Sequence, residues 1–177
     1  MIWETFYWKK PLWQSAKTLR NLKGKRITDL RYAKIEREVC LGFFTVRRLF
    51  ETPAKMTDRI RHKQIQICWH PNVKKVTWRN YHNLDELYDF EKERMESRTI
   101  GHWANIVIHS LIFNLMVDEL GGFDGIYFSS DNTKDEKLYS MTVDTVLSTF
   151  ESVAKDDVME MRWWVDPKTG KEHWILR

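Results

Sequence analysis

Cysteine is almost absent from this chain: Cys40 and Cys68 are the only two among 177 residues. They stand alone without CxxC spacing, which argues against a disulfide framework and a zinc ribbon. Proline and glycine are also sparse, at four and seven, and no Pro-, Ser- or Gly-rich stretch reads as a linker. Neither a repeat nor a low-complexity tract is present, so the expectation is one domain over residues 1–177. Residues 3–10, WETFYWKK, lack the apolar core of a signal peptide. The longest apolar-rich run, Ile100 to Leu120, carries His102, Asn105, His109, Asn114, Asp118 and Glu119. That is too polar for a membrane span. The absences together point to a cytoplasmic chain with no membrane contact.

What is present is apolar and aromatic. Hydrophobic residues make up 42% of the chain and nine are Trp, enough to build a packed core and to exclude intrinsic disorder. Charge is uneven. Residues 1–62 hold 15 Lys and Arg against 6 Asp and Glu, a net of +9, and residues 63–177 hold 14 against 19, a net of −5. A basic front suggests nucleic acid as a partner. The plainer reading is that front and rear attract each other, within the fold or across a homodimer.

Periodicity sets the elements. Pro11 to Leu22 reads as a short helix between a proline start and Gly24. Thr28 and Asp29 open a longer one, with the apolar stripe Tyr32, Ile35, Val39, Phe43, Val46 and Phe50, ended by Pro53. QIQICWH then alternates with period two and reads as a strand, followed by a turn at Pro71–Asn72 and a second, antiparallel strand in VTWRNYH. Asn83 is the expected cap of a helix over LDELYDFEKERME, and residues 98–120 read as a helix stopped by Gly121–Gly122. The last third reads as strand GIYFSSD, turn, strand KLYSMTV, helix DTVLSTFESVAK and a terminal hairpin of VMEMRWWV and KEHWILR. The fold class is therefore α+β: N-terminal helices, a buried central helix and a mainly antiparallel sheet with a C-terminal hairpin.

The candidate site is a polar line on that central helix. At 100° per residue, Arg98, His102, Asn105 and His109 fall within about 60° of one another, flanked by apolar side chains. Buried polar groups need partners, so the line is either an internal network or the wall of a cavity. His102 and His109 are seven apart, about 10 Å along a helix, and metal-binding helical pairs use i, i+4. No metal and no cofactor is expected unless His70 or His82 joins one of them. No GxSxG elbow or Cys motif is present, and Cys68 reads as an inert small side chain.

The Arg and His types on this helix resemble the HEPN ribonuclease helix, in which an Arg and a His project into a dimer cleft. That family places four to six residues between the two; here three separate Arg98 from His102. The resemblance implies metal-independent RNA cleavage in a defence or toxin system, with His as general acid or base and Arg98 on the phosphorane charge. Separately, LGFFTVRRLFE, WRNYHNLDELYD, NIVIHSLIF, and FSSD with KLYSMTVDTVLSTF resemble a group of uncharacterised bacterial proteins of similar length, over residues 40–170. That resemblance implies a self-standing bacterial domain and no activity.

Asn80 and His82, before a helix start, are the expected outside contributors to a ligand pocket; they also read as turn and cap residues. FSSDN, residues 128–132, reads as a strand-end turn. Trp163, Trp164 and Trp174 on the terminal hairpin read as a partner surface, for a second copy or for bases. The leading functional expectation is a non-catalytic binding or interaction module, homodimeric. The alternative is the HEPN-like ribonuclease.

Overall fold

The computed structural model describes residues 2–177. The order of elements follows from local signals in most places. α1 (Phe6–Leu22) begins one turn earlier than the proline signal suggests, so Pro11 lies inside it. Pro11 deprives the Tyr7 carbonyl of its partner, and Tyr7 is on the exposed surface, where that loss costs little. α2 (Asp29–Glu51) starts at Thr28, whose side chain accepts from the Arg31 amide, and buries Ile35, Val39, Phe43 and Val46 of the expected stripe. A short α3 (Asp58–Arg61) leads into β1 (Gln64–Pro71).

The middle departs from expectation in three places. VTWRNYH is not a strand: residues 78–82 form turns and Val76 and Thr77 are irregular. The helix expected after Asn83 is the single turn α4 (Leu84–Leu87), and Asn83 makes no side-chain cap bond. Residues 88–93 then form an irregular turn, and only Arg94–Glu96 of the expected helix enter β2 (Arg94–Thr99), an edge strand, where charge is tolerated and even protective. The helix expected over 98–120 is three elements: the end of β2, then α5 (Ile100–Ile108), then β3 (Ser110–Val117). The physical reason is an ambiguity of pattern. A run apolar on all sides describes a buried helix equally well as a strand covered on both faces. β3 is the latter: Phe113 and Leu115 face one core and Ile112 the other.

The last third matches its pattern. β4 (Phe123–Ser130) and β5 (Lys137–Thr142) precede α6 (Val143–Ala154), which Thr142 caps, and β6 (Met161–Val165) pairs with β7 (Glu172–Leu176) as a separate hairpin. Gly121, at φ 74°, takes the turn between β3 and β4.

The main sheet runs β2-β1-β5-β4-β3, every neighbour antiparallel. α5 and α6 lie on one face, with α1 and α2 packed against them, around a core that includes Phe43, Trp103, Phe128 and Phe150. The loop between β1 and β2 covers the other face with Val76, Leu87 and Tyr88, on Ile112 and Leu138. Buried Asp156, after α6, accepts from the Thr57 amide at 2.7 Å and hydroxyl at 2.6 Å, and its carbonyl accepts from Lys9. It ties α1, α3 and the root of the hairpin together. Among the described residues no helix is long and apolar enough to cross a membrane.

Candidate functional site

α5 is positioned by its cap and its apolar side. The Thr99 hydroxyl accepts from the His102 amide at 3.3 Å. Ile100, Trp103, Ala104, Ile106 and Val107 are buried, and the Trp103 indole donates to the Ile65 carbonyl at 2.9 Å. His102, Asn105 and His109 occupy the opposite, exposed side. The polar line is therefore an outer face rather than a sealed network, and His109 is the helix's C-cap.

Arg98 is not on that helix. It sits on β2 opposite Ile65, one side of the sheet shared with Glu96, Arg94, Trp69, Tyr139 and Lys137 through the pairs Ile67–Glu96, Trp69–Arg94, Trp69–Tyr139 and Pro71–Lys137. Glu96 is the hub. It accepts from Arg98 Nε at 2.8 Å, from Lys137 Nζ at 2.7 Å and from the Tyr139 hydroxyl at 3.5 Å. Burial pushes the Glu96 carboxyl up, but the hydrogen bonds from Lys137 and Arg98 outweigh it and hold the group below its ordinary range. Burial, then the Glu96 charge, pushes the Tyr139 phenol up to about 12. Arg94 and Lys137 lie against the Trp69 ring, 5.2 and 4.8 Å from its centre. His102 feels this cluster: burial, then Arg98, lowers its pKa, with Glu96 opposing.

One turn further along α5 the surface opens into a cavity of about 380 Å³ lined by Asn105, Ile106, His109, Ser130, Asp131 and Asn132. Arg47 reaches in from α2, its Nη1 2.6 Å from His109 Nε2 and its Nε 2.6 Å from Glu51. A guanidinium only donates, so His109 Nε2 accepts and the ring carries its proton on Nδ1. Ser130 belongs to the same side of the sheet as Phe128, two residues back, which pairs with Tyr139. The Glu96 cluster, beside the start of α5, and the cavity, at its end, thus share one side of the sheet.

The four candidates are partly assembled. Asn105 and His109 line the cavity, while His102 and Arg98 lie by the Glu96 cluster. Asn80 and His82 do not belong: they lie in the loop that covers the opposite face, where the neighbouring Tyr81 packs on the second core. The Asn80 carboxamide staples its own turn, accepting from the Thr77 amide at 2.6 Å and donating to the Lys75 carbonyl at 3.1 Å. Sequence reading missed Glu96, Lys137, Tyr139 and Arg47. Only Ser130, Asp131 and Asn132, within the FSSDN turn, left a local signal. Among the described residues no group of three or more His, Cys, Asp or Glu side chains is placed to hold a metal ion. Comparison with family models, curated proteins and solved structures finds no match.

Proposed function

We propose that this chain is a non-catalytic binding module whose cationic cluster beside α5 takes an anionic ligand of the phosphate class. One observation carries the reading. Arg94, Arg98 and Lys137 share one side of the sheet with a single carboxylate, Glu96. Arg98 spends only its Nε on Glu96, so the terminal fork of its half-exposed guanidinium makes no other hydrogen bond among the described residues. A free fork beside a second cation suits bidentate capture of a phosphate. Binding is favoured over catalysis because most acid–base groups are already engaged, Glu96 by two cations, His109 by Arg47 and Asp131 by Lys134 at 2.5 Å, leaving only the His102 ring without a side-chain partner among the described residues. Calorimetric titration with pyrophosphate at low salt is expected to give saturable binding, weakened about tenfold or more by Arg98→Ala. Equal affinity in wild type and Arg98→Ala would sink the assignment to this cluster.

The HEPN-like ribonuclease is the second reading, supported by His102 lying near Arg98 with its pKa lowered. Against it, Arg98 is on a strand instead of the helix. RNA cleaved in EDTA, and spared by His102→Ala, would favour this reading over simple binding. Self-association, a nucleic-acid contact through the basic N-terminal region, and a cytoplasmic setting in which Cys40 and Cys68 stay free belong to the same proposal.

A further inference from the structure

We infer that the β6–β7 hairpin is a self-association arm, and that its Met161–Trp163–Val165–Trp174 face is covered by a second copy of this chain. The inference rests on the proposed self-association and names its surface; it is independent of the cationic cluster beside α5. Cross-strand pairing gives the hairpin two unlike faces. Met161 opposes Leu176, Trp163 opposes Trp174, and Val165 opposes Glu172, so these six share one face. Arg162, Ile175, Trp164 and His173 form the other. On the second face Trp164 and His173 stack on each other at 5.4 Å and 15°, beside the charged Arg162, while Trp164 stays 44% and Ile175 36% exposed. The first face has no such stacking among the described residues. Leu176 is buried at the root, where its amide donates to Asp58 Oδ2 at 3.0 Å. Beyond it Met161, Trp163, Val165 and Trp174 remain 42–55% exposed.

A two-stranded hairpin is marginal by itself in water, and this one presents roughly 400 Å² of contiguous apolar side chain, within the size range of functional patches. The whole chain exposes 10,737 Å², whereas a compact monomer of its mass is expected to expose about 9,200 Å². The excess, about 1,500 Å², is spread over the chain and is comparable with the roughly 1,000 Å² or more per partner that obligate dimer interfaces bury. Charge selects the occupant. The only ionised group on the apolar face is Glu172, so a polyanion finds no cation there. The flanking Asp166, Lys168, Lys171 and Glu172 carry both signs, which suits a self-complementary, two-fold contact. The β6 strand, MRWWV, also lacks the Lys and Pro that blunt an exposed edge.

Sedimentation equilibrium of the full chain from about 1 to 100 µM tests this. The expected result is twice the 21.5 kDa monomer mass, with Trp163→Glu/Trp174→Glu weakening association by about 100-fold or more. Trp164→Ser, on the opposite face, is expected to leave the dimer intact. Circular dichroism and thermal melting check that each variant is folded; if the double variant is not, single Trp174→Ser is read in its place. A monomeric wild type at the highest concentration overturns self-association itself. A dimer that survives loss of Trp163 and Trp174, or is lost with Trp164 alone, overturns this surface while leaving self-association standing.

Discussion

His70 is the one buried side-chain polar group without a partner among the described residues: its Nδ1 makes no hydrogen bond. The ring is 7% exposed and leans on Phe90, 4.7 Å between centres, with Tyr127 at its edge. Burial lowers its pKa, against the weaker pull of Glu93 and Asp89. The linkage sign follows. The folded chain keeps this imidazole neutral where the unfolded chain, with a pKa near 6.5, already binds a proton. Stability is therefore lost as pH falls through 6.5 and levels off once the folded group also titrates. His70→Leu is expected to remove part of that slope: by urea unfolding, its stability relative to wild type should rise between pH 7.5 and pH 5.5. A constant difference across that range would refute the assignment. Nothing in the sequence separated this His from the other five. Residue type was legible, and so was the chemistry of His102, Asn105 and His109, but burial and partners depend on which strand lies alongside. Cys68 is an example. Its expected inertness has a physical basis, since burial, then Glu93, pushes the thiol up to about 11.

Elements that end on a strong local signal were legible; those that end on a tertiary one were not. Thr28 and the Asp166–Gly170 turn each mark a boundary through their own backbone and side-chain bonds. The segment 98–120 lacks such a mark at His109, where α5 gives way to β3 only because β4 offers pairing partners from Ser130 to Phe123. Sheet pairing overrode a helical period. The shortening matters for the site, because it moved Arg98 off the helix and exposed the α5 face. A comparable tertiary constraint sits inside α2, which approaches α6 at Gly42. A Cβ there would stand 2.2 Å from a ring carbon of Phe150, and that ring is fully buried and packed edge-on against Phe43 at 5.0 Å. Neither helix has room to yield. Gly42→Ala, which raises helix propensity, is nevertheless expected to destabilise by about 1–3 kcal/mol through overpacking. A denaturation midpoint equal to or above wild type would show that the helices can separate freely.

At the scale of the molecule, strand order was beyond the sequence because β1 takes both its partners from afar: Cys68 pairs with Met95 on one side and Ser140 on the other. Local pattern carries no record of such pairings. The charge division was legible, and the fold gives it a structural use. Lys9–Asp157, Arg20–Glu151, Lys23–Asp144 and Arg59–Asp156 each join a cation of the basic front to an acid of α6 or the residues just after it. Four pairs therefore bind α1 and α3 to the C-terminal third, the attraction between front and rear that the composition suggested. Exposed pairs of this kind contribute little singly, about 0–1 kcal/mol, but these four act in parallel across one seam. Raising NaCl from about 20 mM to 0.5 M shortens the Debye length from roughly 20 Å to about 4 Å and screens the exposed members. The expected loss is about 3 °C in Tm by differential scanning calorimetry. The reversal Lys23→Glu should lower Tm at low salt but much less at 0.5 M, and adding Asp144→Lys should recover most of the loss. If reversing both charges fails to restore what reversing one removes, the pairing across this seam is incidental and the basic front is free to serve a partner instead.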